Sequence, residues 1–489
     1  MLADKRVKIV ATIGPATKSP EGVRELITSG IDVARLNFSH GTHAEHLLVI
    51  QNIRKACEEL VAPLAILQDL QGPKIRVGKM KNGSMELKAN ERVIISTKAQ
   101  LGENGVIPTD FVTLPQDCKT GSRILLDDGL IELKVDEVRG HEVHCTVIYG
   151  GHLKDRKGMN VPGANLSVDC LTPKDLEDLE FGLANKVDYI ALSFVRRGED
   201  MRRLRSLVDA KNPATRLVAK IEMLEALDHL EDIVRLSDAV MVARGDLAVE
   251  VGASLLPGIQ KEIISLCNRL GRPVITATQM MESMVNNPTP TRAEITDIAN
   301  AVLDGSDALM LSAETASGKY PFKCVQTMGE VIREVERTGK YFYKMSLEDE
   351  FLSVAEAIAA SACLSAKKLN AAAIVCLTTS GKTATLISKS RPKAKIIAVT
   401  HLMPTLNRLE LVWGIHTIAI DPYDSTDSAI HQIEDMLLKY GLVKPGDKMI
   451  LTMGMPVMER GTTNSVRVYT VKGEVKKLLP PAKRPLRFR

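Results

Sequence analysis

Val218-Ala219-Lys220-Ile221-Glu222 starts as an apolar run and ends on two charges. A parallel strand buried on both faces is expected to be apolar throughout. Here an ammonium and a carboxylate sit at i and i+2, so both project to the same side. Burying two such charges costs free energy unless each has a partner or a task. A second apolar run, Ala239-Val240-Met241-Val242-Ala243, breaks in the same way at Arg244-Gly245-Asp246. Two carboxylates and two cations at the ends of neighbouring strands predict a divalent metal beside an anionic substrate.

The flanking sequence repeats this design. Val7 to Ile13, Ile31 to Asn37 and Leu64 to Leu67 are apolar strand patterns separated by helical ones, and each runs out into polar residues such as Arg35, Asn37, Ser39 and Asp69. After the 74–168 segment the rhythm resumes with strands at Val187 to Ser193, Arg216 to Glu222, Ala239 to Ala243, Pro273 to Thr278 and Ala308 to Leu311. Eight βα units predict a closed (β/α)8 TIM barrel, in which chemistry gathers at the carboxyl ends of the strands. Between residues 74 and 168 the pattern alternates with period two and carries a hairpin signal at Asp128-Gly129. That segment reads as an inserted small β-barrel domain. Beyond about residue 340, strands at 372–377, 395–399, 416–420, 448–452 and 466–471 predict an open α/β sheet domain. The expected organisation is therefore a barrel from 1–73 and 169–340, an inserted lid at 74–168, an α/β domain at 341–475 and a basic tail at 476–489.

Composition excludes several classes of function. A net charge of +4 over 489 residues gives no general basis for nucleic-acid binding. No apolar run approaches the roughly 20 residues that cross a bilayer, and the N-terminus lacks the apolar centre of a signal peptide. Eight scattered cysteines without a CxxC pair read as reduced thiols. The chain is expected to be soluble and cytoplasmic, with no nucleic-acid or membrane partner.

Six blocks in order resemble pyruvate kinase: Lys-Ile-Val-Ala-Thr-Ile-Gly-Pro-Ala at 8–16, Ala-Arg-Leu-Asn-Phe-Ser-His-Gly at 34–41, Asp-Leu-Gln-Gly-Pro-Lys-Ile-Arg at 69–76, Lys-Ile-Glu at 220–222, Ala-Arg-Gly-Asp-Leu at 243–247 and Ala-Thr-Gln-Met-Met-Glu-Ser-Met at 277–284. The resemblance covers essentially the whole chain. It implies transfer of phosphate from phosphoenolpyruvate to ADP, giving pyruvate and ATP, by a homotetramer. On that reading Glu222 and Asp246 suit Mg2+ or Mn2+, because such ions take one or two carboxylates plus water and substrate oxygens. Lys220 suits the charge on the phosphoryl group and the enolate oxygen. Arg35 and Arg76 suit phosphates. Gly245 and Asp246 open a helix that suits the substrate carboxylate, with Thr278 adding a hydroxyl. Asn37, His40 and Lys157 resemble the family's nucleotide contacts, and the lid is expected to close and exclude water.

One block departs from the family pattern. Members that need potassium usually read Asp-Thr-Lys-Gly-Pro-Glu where this chain reads Asp69-Leu70-Gln71-Gly72-Pro73-Lys74. Asn37, Ser39, Asp69 and Leu70 mark the K+ position, and the Lys74 ammonium is the candidate to stand in for that ion. In the C-terminal segment, Thr378, Thr379, Ser380, Gly381, Lys382 and Thr383 lie between a strand and a helix start, which suits a phosphate. The resemblance makes this an allosteric site for a sugar phosphate or AMP, closed by residues 454–464. Two rival readings remain at this stage: a barrel lyase or aldolase with Lys220 as Schiff-base nucleophile, and a non-catalytic metabolite-binding regulator.

Overall fold

The computed structural model describes residues 5–164, 167–339, 353–456 and 463–473. The chain forms two compact units. Residues 5–340 together with Glu410–Trp413 make one, and 341–409 with 414–489 make most of the other. The 476–489 tail and the 341–352 approach to the second unit lie outside the described residues.

The first unit is built on a closed parallel barrel of eight strands. In chain order they are Lys8–Thr12, Val33–Asn37, Ala65–Asp69, Tyr189–Leu192, Arg216–Ile221, Ala239–Ala243, Val274–Ala277 and Ala308–Leu311. They are called barrel strands one to eight below. Their residues are almost all buried, as the apolar runs require. Val10, Leu67, Val218, Met241, Ile275 and Met310 fill the interior, joined by Leu411 from the Glu410–Trp413 segment. The helices between the strands begin on side-chain caps. Ser19 accepts from the Gly22 N–H ahead of Pro20, and Thr42 with Glu45 and Thr172 with Asp175 form capping boxes.

At the amino ends of the strands a regular device closes the barrel. Asp32, Asp188, Asp238 and Asp307 each stand just before an even-numbered strand. Each carboxylate accepts a backbone N–H from the preceding odd-numbered strand: Ile9 at 2.7 Å, Ile66 at 2.8 Å, Leu217 at 2.8 Å and Val274 at 3.0 Å. These donors would otherwise be orphaned where strand pairing begins.

The inserted segment forms a six-stranded sheet in the order Met159–Asn160, Arg123–Leu126, Ile131–Arg139, Glu142–Tyr149, Arg92–Ser96, Val106–Pro108, with two short ribbons beside it. It has its own core around Ile95, Leu126, Leu133 and Val147. Asp127, Asp128 and Gly129 all take positive φ in the hairpin between its second and third strands. The second unit is a five-stranded sheet in the order Ile415–Ala419, Lys395–Thr400, Ala373–Leu377, Lys448–Met453, Ser465–Thr470, in which only the last strand is antiparallel.

Candidate active site

Barrel strands two, three and five deliver Arg35, Asp69 and Lys220 to one cluster at the carboxyl rim. Arg35 reaches Asp69 Oδ2 at 2.7 Å and donates to Thr12 Oγ1 at 2.9 Å. Lys220 Nζ lies 2.9 Å from Glu222 Oε1 and 2.6 Å from Ser193 Oγ. It also stands 3.1 Å from Asp69 Oδ1, an ion-pair distance without hydrogen-bond alignment, so that buried oxygen lacks an aligned donor among the described residues. Burial acts to lower the Lys220 pKa, but Asp69 and Glu222 outweigh it and push the ammonium well above its usual range. Burial likewise opposes ionisation of Asp69, yet Lys220 and Arg35 prevail and hold its carboxyl below the ordinary value. Glu222 is shifted the other way. Its own burial, with the Asp246 charge adding to it, raises its pKa against the pull of Lys220.

The second cation expected beside the metal is turned elsewhere. Arg244 sits in a 2.8–2.9 Å fork on Asp297 and donates to the carbonyls of Ala277 and Thr278. A residue at a helix start can point along the helix flank rather than across the strand ends, and half-exposed Asp297 provides the counter-charge there. Thr278, held by that guanidinium, takes a left-handed backbone with φ +68°. Its hydroxyl accepts the Gly245 N–H at 2.9 Å. The helix-start donor expected to meet a substrate carboxylate is thus paired with the very threonine expected beside it.

Lys74 lies 3.8 Å from Asp246 Oδ1, and both line a cleft where the lid meets the barrel, with Met159, Phe194, Met223 and Glu250 on its walls. Across that cleft Asn160 of the lid donates to Glu250 Oε1 at 3.3 Å. Of the residues expected around a monovalent cation, Asn37 Oδ1 accepts the Ser39 N–H and the Leu70 carbonyl accepts the Ser193 hydroxyl. Lys74 pairs with Asp246 rather than with any of these. His40 is exposed, and its carbonyl lies 2.9 Å from the His46 ring. On the lid, Arg76 donates to the Arg156 carbonyl at 3.1 Å and Lys157 pairs with Asp127 at 2.8 Å.

This geometry fits a hard divalent cation. The Asp246 charge is close enough to raise the pKa of Glu222, and the described residues contain no cluster of three or more His, Cys, Asp or Glu side chains for a metal. Two carboxylates, with the remaining coordination left to water and substrate oxygens, match magnesium or manganese better than zinc.

Residues 4–325 match the pyruvate kinase barrel-domain family, and 356–469 match the pyruvate kinase alpha/beta-domain family. The chain belongs to the pyruvate kinase family. It is 43% identical to a pyruvate kinase of Geobacillus stearothermophilus over 96% of this chain and 80% of the relative. It is also 43% identical to one from Staphylococcus aureus, over 96% and 81%. The crystal structure of a pyruvate kinase from Cryptosporidium parvum superposes with a TM-score of 0.90 at 35% identity, covering 96% of this chain and 98% of that one. Pyruvate kinase activity is what these relatives support, and no helix among the described residues is long and apolar enough to cross a membrane.

Three pyruvate kinase rim residues carry contacts that strand patterns did not reveal. Ser193 directly follows strand four and bridges Lys220 to the Leu70 carbonyl. Phe194 follows it with φ +56° and donates its N–H to Glu222 Oε2 at 2.8 Å. Glu314 is fully buried and accepts the backbone N–H groups of Ser312 and Met281. Ser193 and Glu314 stood out only as polar residues at strand ends, and nothing in one sequence marks a phenylalanine for a left-handed backbone.

In the second unit, Gly381 takes φ +84° and caps a helix, Lys382–Lys389, that has no side-chain cap. Its N–H goes to Thr378 Oγ1 at 2.9 Å, and the Thr379 carbonyl accepts from Thr405 at 2.8 Å. Thr383 hydrogen-bonds Thr463. Residues 457–462 of the expected closing segment lie outside the described residues.

Proposed function

We propose that the chain catalyses magnesium-dependent transfer of the phosphoryl group of phosphoenolpyruvate to ADP. A β-phosphate oxygen of ADP attacks phosphorus, the bond to the enol oxygen breaks, and the enolate is then protonated at carbon to give pyruvate. Arg35 and Lys220 hold the phosphoryl oxygens, and Lys220 balances charge on the enol oxygen as it develops. Gly245 and Thr278 receive the substrate carboxylate once their mutual hydrogen bond opens, and Thr278 lines the face on which carbon is protonated. Asn37, His40, Arg76 and Lys157 take the nucleotide. Glu222 and Asp246 would hold the divalent ion, which would supply Lewis acidity to the transfer.

The observation that carries this reading is the Lys220 ammonium, held largely out of water between Asp69, Glu222 and Ser193. The same observation opposes a Schiff-base lyase, which needs a neutral amine, whereas these carboxylates favour the charged one. A coupled assay of pyruvate release from phosphoenolpyruvate and ADP tests it. Turnover that requires Mg2+ or Mn2+ is the expected result, and equal turnover after chelation overturns it.

The Lys74 ammonium replaces the family's K+ in this reading, on the ground that it stands in the sequence where potassium-dependent members carry a glutamate. Turnover then persists when potassium gives way to tetramethylammonium, and a collapse refutes the substitution. The helix at Lys382–Lys389, which has no side-chain cap and carries the hydroxyls of Thr378, Thr379, Ser380 and Thr383 around its start, supports a phosphorylated activator. Unchanged kinetics with sugar phosphates and AMP remove that site. Sedimentation is expected to give a tetramer.

A further inference from the structure

The left-handed residue at the exit of barrel strand four is a phenylalanine, and nothing in the reaction described above uses its ring. For a bulky side chain φ +56° is a strained conformation, of a kind that persists only where the surroundings enforce it. The enforcement is visible. Gly72, at the base of the lid, is itself left-handed at φ +68°, and a Cβ placed there would stand 2.8 Å from Phe194 Cδ2 and 2.9 Å from Ser193 Cβ. The Gly72 N–H is fixed in turn by buried Asp175 at 3.0 Å, from the capping box of the following helix. On its other side the Phe194 N–H meets Glu222 Oε2 at 2.8 Å. The preceding hydroxyl, Ser193 Oγ, accepts from Lys220 and donates to the Leu70 carbonyl.

We propose that Phe194 is a positioning residue: its ring, wedged against the lid-base glycine, holds a strained backbone whose N–H fixes the Glu222 carboxylate for the divalent ion. Phe194 acts through its backbone, and the ring serves to keep that backbone left-handed. A carboxylate gripped by one backbone donor and one ammonium keeps a lone pair on each oxygen in a set direction, which preorganises it for a cation. Because Gly72 begins the connection to the lid, the same contact ties the metal ligand to the lid's base. The inference rests on Glu222 being a metal ligand.

The test is Mn2+ affinity, read by electron paramagnetic resonance in the full chain without substrates, across a series at position 194. Phe194→Gly and Phe194→Asn reach the left-handed region without help from a ring and should bind within about twofold of the parent. Phe194→Ala and Phe194→Val lose the wedge without gaining that freedom and should bind about tenfold more weakly. Thermal melts show which variants fold, and if the valine variant does not, the glycine and alanine pair decides. A uniform loss across the series overturns the inference, because the ring itself would then matter. So does uniform retention, because the N–H would then be idle. Glu222→Gln alongside separates the two claims. Mn2+ binding kept by that variant overturns the metal assignment and the inference together. Binding lost there but indifferent to residue 194 overturns the inference alone.

Discussion

The two mouths of the barrel use the same chemical groups for opposite ends. At the amino mouth Lys5 and Lys8 are buried against Asp32, and Lys8 also meets Glu410 at 3.2 Å. Asp32 accepts a backbone N–H as well, Glu336 takes those of Arg6 and Val7, and Arg6 lies 5.3 Å over the Trp413 ring. At the carboxyl mouth Arg35, Lys220, Asp69 and Glu222 form a cluster of similar size. There, however, Asp69 Oδ1 lacks an aligned donor among the described residues, and Asp246 faces an open cleft. Buried charge that is fully knitted holds the fold, whereas buried charge left partly unsatisfied is poised to accept a ligand. The exit rim has the second character, and the entry rim the first.

The largest difference between the mouths should come from Lys220→Met. Removing the ammonium is expected to lower turnover roughly 100- to 1,000-fold in steady-state assays. A fall of less than tenfold would place Lys220 among the structural charges. At the opposite mouth, Asp32→Ala takes the carboxylate from Lys5 and leaves Lys8 to Glu410 alone, and is expected to cost about 3–5 kcal/mol of unfolding free energy, while the folded fraction keeps its turnover. Loss of turnover without loss of stability would reverse the assignment of the two ends.

A pH series sharpens the contrast further. Asp69 has a folded pKa below its ordinary value, so the stability it adds is fully present above about pH 4. That contribution drains away as pH falls through the folded value. The gap in unfolding midpoint between the parent and Asp69→Asn should therefore narrow on acidification, and a constant gap contradicts the ion-pair account. The smallest effect concerns the cysteines. Burial pushes Cys57 up to about 12 and Cys118 up to about 11, so a thiol reagent at mildly alkaline pH should label the native protein slowly and all eight thiols only after denaturation. Rapid labelling of any one of them would mean that its surroundings open.

Much of the exit rim was legible because its residues interrupt apolar runs. Lys220 and Glu222 stand out in a strand that should carry neither, and the same holds for Asp69 and for Asp246. The entry rim was legible only in hindsight. Asp32, Asp188, Asp238 and Asp307 each precede an apolar strand, a repeat visible in the sequence, yet an aspartate before a strand also suits an ordinary turn. Arg244 misled because strand position does not fix the direction of a residue that starts a helix. Phe194 was illegible, since its role lies in φ and not in its side-chain chemistry. Glu250 and Asn160, some ninety positions apart, meet only once the inserted sheet is placed against the barrel.

The measurement that bears most directly on the exit rim is anomalous diffraction from a crystal soaked in Mn2+. The account predicts one strong peak at the cleft, within bonding distance of carboxylate oxygens from both Glu222 and Asp246. A peak bound to one of them without the other, or none at the rim, would contradict it.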